Sequence, residues 1–114
     1  MQYRINLTNP NQIKRFGIHD DEKIYRFLTK NKRGIYFLWE DEMIVYVGKS
    51  NDMYIRLNRH EIIENHNINY ISILPTIENF ETGIGEMLYI HKLKPKYNKQ
   101  HKYLDEENIT EIFV

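Results

Sequence analysis

The sequence predicts an α+β domain with a small mixed or antiparallel sheet. Residues 34–39 and 43–47 are rich in β-branched and aromatic side chains, and Glu40-Asp41-Glu42 separates them, which is a hairpin signal. Residues 69–75 (NYISILP) alternate as a third strand closed by Pro75. Apolar residues at helical spacing lie before, between and after these runs, giving the order helix, two strands, helix, strand, helix.

In the first helix, Asp20-Asp21-Glu22 precede Ile24, Tyr25, Phe27 and Leu28. Acids in a first turn followed by apolar residues at this spacing predict a helix over 20–31, stopped before Gly34. The hairpin loop lacks the Asn-Gly or Asp-Gly of a tight turn, so the sequence favours an odd-length loop centred on Asp41. That register pairs 34 with 48, 36 with 46 and 38 with 44. Tyr36 and Tyr46 then stand opposite one another on one face, and an even loop would separate them. Ile35, Phe37, Trp39, Val45 and Val47 take the other face as a plausible core. Gly48-Lys49-Ser50-Asn51-Asp52 breaks the strand, and Ser50, Asn51 or Asp52 can cap a helix over 53–64. A last helix over 78–93 stops before Pro95, with Gly83 and Gly85 weakening its first half. A short helix or strand is expected within 104–113.

The chain has 114 residues, the length of one domain, and 41% hydrophobic composition, enough for a core. It contains no cysteine, which excludes disulfides and thiolate zinc sites. No apolar run is long enough for a membrane span, and the first ten residues lack the apolar segment of a signal peptide, so a cytoplasmic location is expected. Formal net charge is zero, a mild argument against nucleic-acid binding. Its distribution softens the argument: Lys92, Lys94, Lys96, Lys99 and Lys102 form a basic stretch before an acidic patch over 105–111. Such runs are also ordinary solvated surface.

Candidate chemistry gathers around the hairpin. Arg56 and His60 are four apart on the predicted second helix and so share one face. That face is either plain solvent surface or a guanidinium set for a phosphate. Glu86 falls on the stripe of Tyr89, Ile90 and Leu93. A carboxylate there is either salt-bridged or a ligand for a hard cation completed by waters and substrate phosphate. The chain has nine tyrosines, so most are structural. A phenol, with an ordinary pKa of about 10, acts as a base near neutral pH only if cations stabilise the phenolate. Lys49, Arg56 and a metal would be such cations. Gly83-Ile84-Gly85 is no dinucleotide fingerprint. Val47-Gly48-Lys49-Ser50 lacks the upstream glycine of a phosphate loop. His91 and His101 lack partners at metal-ligand spacing.

Taken together, Gly34-Ile35-Tyr36, Tyr46-Val47-Gly48, Lys49-Ser50, Arg56, His60, Glu86 at the head of EMLYIHKLKPKYN, and Asn98 resemble the GIY-YIG nuclease superfamily. The resemblance covers residues 33–98, with Val47 in place of the family's isoleucine. It implies a three-stranded, largely antiparallel sheet flanked by helices, within a single domain of residues 1–114. Residues 1–32 would be an N-terminal extension with a helix, and 99–114 a tail. It also implies a DNA endonuclease using one Mg²⁺ or Mn²⁺ per site and leaving 5′-phosphate and 3′-hydroxyl ends. By analogy Glu86 holds the metal and a tyrosine activates water, with Tyr36 favoured and Tyr46 beside it. Lys49 favours the phenolate, Arg56 stabilises the phosphorane and His60 positions the reacting groups. Gly48 and Asn98 support the site. Lys94, Lys96 and Lys99 of the basic stretch are expected to meet DNA. Targeting would come from residues 1–33, the basic stretch, a homodimer or a recruiting protein. The competing expectation is a catalytically silent nucleic-acid-binding or protein-interaction module on the same fold, motivated by neutral charge and small size.

Overall fold

The computed structural model describes residues 3–98 and 109–113. Its elements, in chain order, are β1 (Tyr3–Leu7), β2 (Arg15–Gly17), α1 (Asp21–Lys30), β3 (Gly34–Glu40), β4 (Met43–Ser50), α2 (Met53–Asn58), α3 (Glu61–Asn65), β5 (Tyr70–Pro75), α4 (Asn79–Leu93) and β6 (Ile109–Phe113). A 3₁₀ turn, Pro10–Gln12, links β1 to β2. The main sheet has the order β2-β5-β3-β4 and every pair in it is antiparallel. It therefore has four strands, not three. The fourth, β2, lies in the N-terminal segment outside the expected core, because three residues carry too little period-2 signal to read as a strand. A separate parallel ladder joins β1 to β6, so the C-terminal element is a strand over 109–113; the rest of 104–113 lies outside the described residues.

Being central, β3 is apolar on both faces, and residues Gly34–Trp39 are all buried. One face packs Tyr36, Leu38 and Val45 with Leu28, Met53, Ile68, Ile71 and Ile73 under α1, α2 and α3. The other packs Ile35, Phe37, Trp39 and Val47 with Leu88, Tyr89 and Ile90 under α4. The expected division into a core face and an open face is thus corrected, because helices cover both sides. Each fully buried large side chain contributes on the order of 1.5–3 kcal/mol of transfer free energy.

The hairpin register also differs from the expected one. Glu40 pairs with Met43, so the loop is the two residues Asp41-Glu42, with Asp41 at φ 52°. Aspartate tolerates this left-handed conformation better than most residues, which lets a tight turn form without Asn-Gly or Asp-Gly. Trp39 pairs with Ile44 but Leu38 pairs with Tyr46, so Val45 is the extra residue of a β-bulge. The even loop and the one-residue bulge together restore the parity an odd loop would have given. Tyr36 therefore pairs with Gly48, not Tyr46, and Gly34 with Ser50. Tyr36 and Tyr46 remain on one face as diagonal neighbours, and the bulge moves Val45 to that face as well.

The helix expected over 53–64 is two helices. At Arg59 (φ −136°) the chain leaves helical geometry, and His60 is extended as the N-cap of α3. Arg56 and His60 consequently do not share a helix face. Gly83 and Gly85 do not break α4. At Gly85 a Cβ would stand 2.6 Å from Ile35 Cδ1, so the missing side chain lets α4 settle onto the sheet. The helix closes at Lys94 (φ 47°), just before Pro95. Among the described residues no helix is long and apolar enough to cross a membrane.

Candidate active site

The site forms at the free edge of the main sheet, where β4 carries Gly48. Tyr36 extends from β3 across its pairing partner. A Cβ at position 48 would lie 2.3 Å from Tyr36 Cζ and 2.4 Å from its hydroxyl oxygen. Only glycine leaves room for this ring to cross the neighbouring strand. The tyrosine is 1% exposed, as is His60, and their hydroxyl oxygen and Nε2 are 2.8 Å apart. Tyr46 stacks on Tyr36 at 6.2 Å between centroids and meets the His60 ring edge-on at 5.0 Å.

The break between α2 and α3 is what delivers His60. Its Nδ1 accepts the Ile62 backbone N–H at 3.2 Å, as a side-chain cap does. Burial, and next the Arg56 charge, push the imidazole down to about 4, so it is neutral at physiological pH. A neutral ring whose Nδ1 accepts must carry its proton on Nε2. His60 therefore donates to the Tyr36 oxygen, and the Tyr36 proton is directed elsewhere. Ile62 has no chemistry of its own in the sequence; its backbone N–H sets this tautomer, and no residue pattern announces that.

Burial holds the Tyr36 phenol well above its ordinary value, and Tyr46 and the Glu86 carboxylate push the same way. Arg56 opposes them. Arg56 is half-buried in the last turn of α2, and its guanidinium also donates to Arg59 O at 3.4 Å. The cation that acts on Tyr36 is thus Arg56. Lys49 alternates to the α4 face, where its Nζ lies 4.0 Å from Glu86 Oε1. The Glu86 side chain is 14% exposed, that of Lys49 50%.

Asn98 meets the same strand from outside. Its Oδ1 accepts Val47 N–H at 2.8 Å and its Nδ2 donates to Val47 O at 2.9 Å. With Tyr97 N–H donating to Val45 O at 2.8 Å, this segment covers part of the open edge.

Lys94 and Lys96 of the basic stretch do not join this cluster. Lys94 caps α4. Lys96 pairs with Glu40 at 3.7 Å beside the hairpin turn. Glu40 pairs with Met43, five strand residues from Gly48, or about 17 Å. Lys99 lies outside the described residues.

For a metal, the donor set is informative. No group of three or more His, Cys, Asp or Glu able to hold an ion occurs among the described residues. One nearly buried carboxylate, Glu86, fits a hard cation that keeps several waters and takes its remaining oxygens from substrate. The half-exposed Lys49 can give way to it.

The antiparallel sheet with helices on both faces defines a fold class: this is the GIY-YIG fold. Similar solved structures include those of the GIY-YIG N-terminal endonuclease domain of UvrC from Thermotoga maritima. Two are point mutants bound to the catalytic divalent cation, 22% and 21% identical to this chain, each with TM-score 0.54 and covering 69% of this chain and 98% of theirs. A third is bound to magnesium, with 21% identity, TM-score 0.54, and coverage of 68% and 98%. No family model matches the chain, and no curated protein matches it.

Proposed function

We propose that this chain is a metal-dependent DNA endonuclease that hydrolyses phosphodiester bonds to 5′-phosphate and 3′-hydroxyl ends. The observation that carries the reading is the Tyr36–His60 hydrogen bond at the Gly48 window, with Arg56 and Glu86 both acting on the same phenol. Residues 33–98 would form the catalytic core.

Glu86 would hold one Mg²⁺ or Mn²⁺, which when bound supplies Lewis acidity toward the phosphate and the leaving oxygen. Tyr36 is the base this geometry favours. Its oxygen already receives the Nε2–H of His60, a donor that strengthens when the phenol loses its proton. Arg56 opposes the burial that keeps the phenol protonated, and its charge serves the phosphorane as well. His60 is a fixed donor rather than a proton carrier, because its imidazole stays neutral. Tyr46 packs both rings into place, and Asn98 holds the strand bearing Gly48. Lys49 would exchange Glu86 for a phosphate when substrate arrives.

The UvrC domain structures, described as endonuclease domains with a catalytic divalent cation, support this reading. Incubation with supercoiled plasmid and Mg²⁺ or Mn²⁺ tests it. Nicked circles should accumulate with wild-type protein and be lost in Glu86→Ala and in Arg56→Ala. Cleavage unchanged by both substitutions overturns the assignment. A silent binding module is the second reading, favoured by zero net charge and by Lys49 lying beside Glu86. DNA retention without cleavage across several metals and substrates would select it.

A further inference from the structure

Beyond Gly48, β4 runs into one wall of an open cavity of about 280 Å³. Lys49, Ser50 and Asn51 form that wall, and Asn79 and Thr82 of α4 face them. Lys49 joins the cavity to the candidate active site. Its Nζ is 4.0 Å from Glu86 Oε1, and a Cβ at Gly83 would lie 3.6 Å from it.

The polarity of the lining can be read group by group. Arg33 Nε donates to Asn51 Oδ1 at 3.2 Å, which orients the amide and leaves its Nδ2 donors to offer. Ser50 Oγ accepts from Asp52 N–H at 2.9 Å, leaving its own proton to donate. Asn79 is exposed on the opposite wall. Thr82 is already engaged, donating to Glu78 O at 2.8 Å and pairing with the Thr76 hydroxyl. No carboxylate belongs to the lining. One ammonium and several neutral donors therefore face a space with no fixed negative charge of its own. That is the complement of a phosphodiester, whose two non-bridging oxygens only accept.

We propose that this cavity is a second phosphate subsite. It would hold a backbone phosphate flanking the one cleaved, through Lys49 Nζ, Asn51 Nδ2, Ser50 Oγ and the Asn79 amide. Its assignment to a nucleic-acid strand rests on the nuclease reading; its preference for a phosphate-type anion rests on the cavity. A chain of zero net charge gathers little DNA by its overall field, so local contacts of this kind must hold the strand.

Asn51→Asp tests it, because aspartate keeps an acceptor for Arg33 and adds a negative charge to the cavity. Gln12→Glu, at an exposed site outside this cavity, makes the same change in net charge. Binding of a labelled duplex is followed by anisotropy without divalent metal, from about 50 to 200 mM salt. Asn51→Asp should weaken binding several-fold at low salt, equally for unrelated sequences, and reduce the salt slope by about one. Gln12→Glu should change neither. If the two variants behave alike, or wild-type protein binds no DNA, the subsite is overturned. Side-chain amide resonances of Asn51 and Asn79 provide a second readout. Shifts on adding oligonucleotide support a strand phosphate. Shifts only with inorganic phosphate, or with neither, overturn it. The two readings fail separately: plasmid nicking with Asn51→Asp indistinguishable from Gln12→Glu removes the subsite alone. A reduced salt slope in a protein whose cleavage ignores Glu86→Ala removes the nuclease alone.

Discussion

The Tyr36 hydroxyl and His60 Nε2 are 2.8 Å apart with both side chains 1% exposed, and the Ile62 N–H on Nδ1 makes His60 the donor. His60 thus donates to a phenol that burial, with Tyr46 and Glu86 behind it, holds above its ordinary value and keeps protonated at neutral pH. Burial and Tyr46 raise the phenol, Glu86 adds to them, and the Arg56 cation opposes all three.

His60 makes stability pH-dependent in a defined direction. Its folded pKa is about 4 against an ordinary 6.5. Between those values the unfolded chain binds a proton that the folded chain does not, so stability is complete above about 6.5 and falls as pH drops toward 4. The contribution at stake is up to about 3 kcal/mol. Urea titrations from pH 7 to 4 should show this loss, and His60→Gln should flatten it. Nitrogen shifts of the ring at pH 6 should report a neutral imidazole protonated at Nε2; a charged ring would contradict the assignment.

Arg56 acts on two groups at once. In Arg56→Ala the His60 pKa should rise from about 4, since a neighbouring positive charge is removed. The same variant should lose about 10²- to 10³-fold in cleavage, typical of deleting one preorganised charge stabiliser. Arg56→Lys should keep the His60 pKa near its wild-type value while recovering only part of the cleavage, because the ammonium lacks the planar fork. Proton titration by NMR and plasmid nicking measure the two effects independently.

Gly48 is a steric requirement. Gly48→Ala puts a methyl 2.3 Å from Tyr36 Cζ, and overpacking of this kind costs about 1–3 kcal/mol. Adding Tyr36→Phe should not rescue stability, since the clashing ring carbon remains. Equilibrium unfolding of the single and double variants checks this; full rescue by phenylalanine would place the conflict at the hydroxyl instead.

Asn98 should hold β4 rather than merely decorate it. Asn98→Ala removes both hydrogen bonds to Val47, with an expected loss of about 1–3 kcal/mol. Asn98→Asp keeps an acceptor but sets a carboxylate against Val47 O, so it should recover little. Amide exchange at Val47 should accelerate in both variants, and unchanged exchange would show that the edge needs no clamp.

Local pattern carried much of the fold. Acids before an apolar stripe placed α1 within a residue of Asp21–Lys30, and Pro95 marked the end of α4. β-Branched and aromatic runs placed β3 and the start of β4, and alternation placed β5; β4 runs on to Ser50, past the break expected at Gly48. The three-residue β2 escaped because so short a strand exists only by pairing with β5. Candidate site residues could also be named from the sequence, since chemistry restricts which side chains can serve. Their arrangement could not be read from it. The two-residue turn and the Val45 bulge cancel in parity, so the tyrosines share a face for a different reason than loop length suggested. The helix break at Arg59 cannot be read from helical spacing, because it is repaid by His60 capping α3 and reaching Tyr36 24 residues away.

By itself, then, the sequence determined the longer helices and strands and the list of chemically capable residues, since both follow from local preference and residue chemistry. Tertiary structure decided which capable residues meet. Both sheet faces are covered, so Tyr36 is buried and its pKa rises; the Gly48 window lets it cross the edge strand; and Lys49 turns to Glu86 while Arg56 acts on the phenol. Burial and charge separation depend on packing between segments far apart in the chain, and no local stretch encodes them.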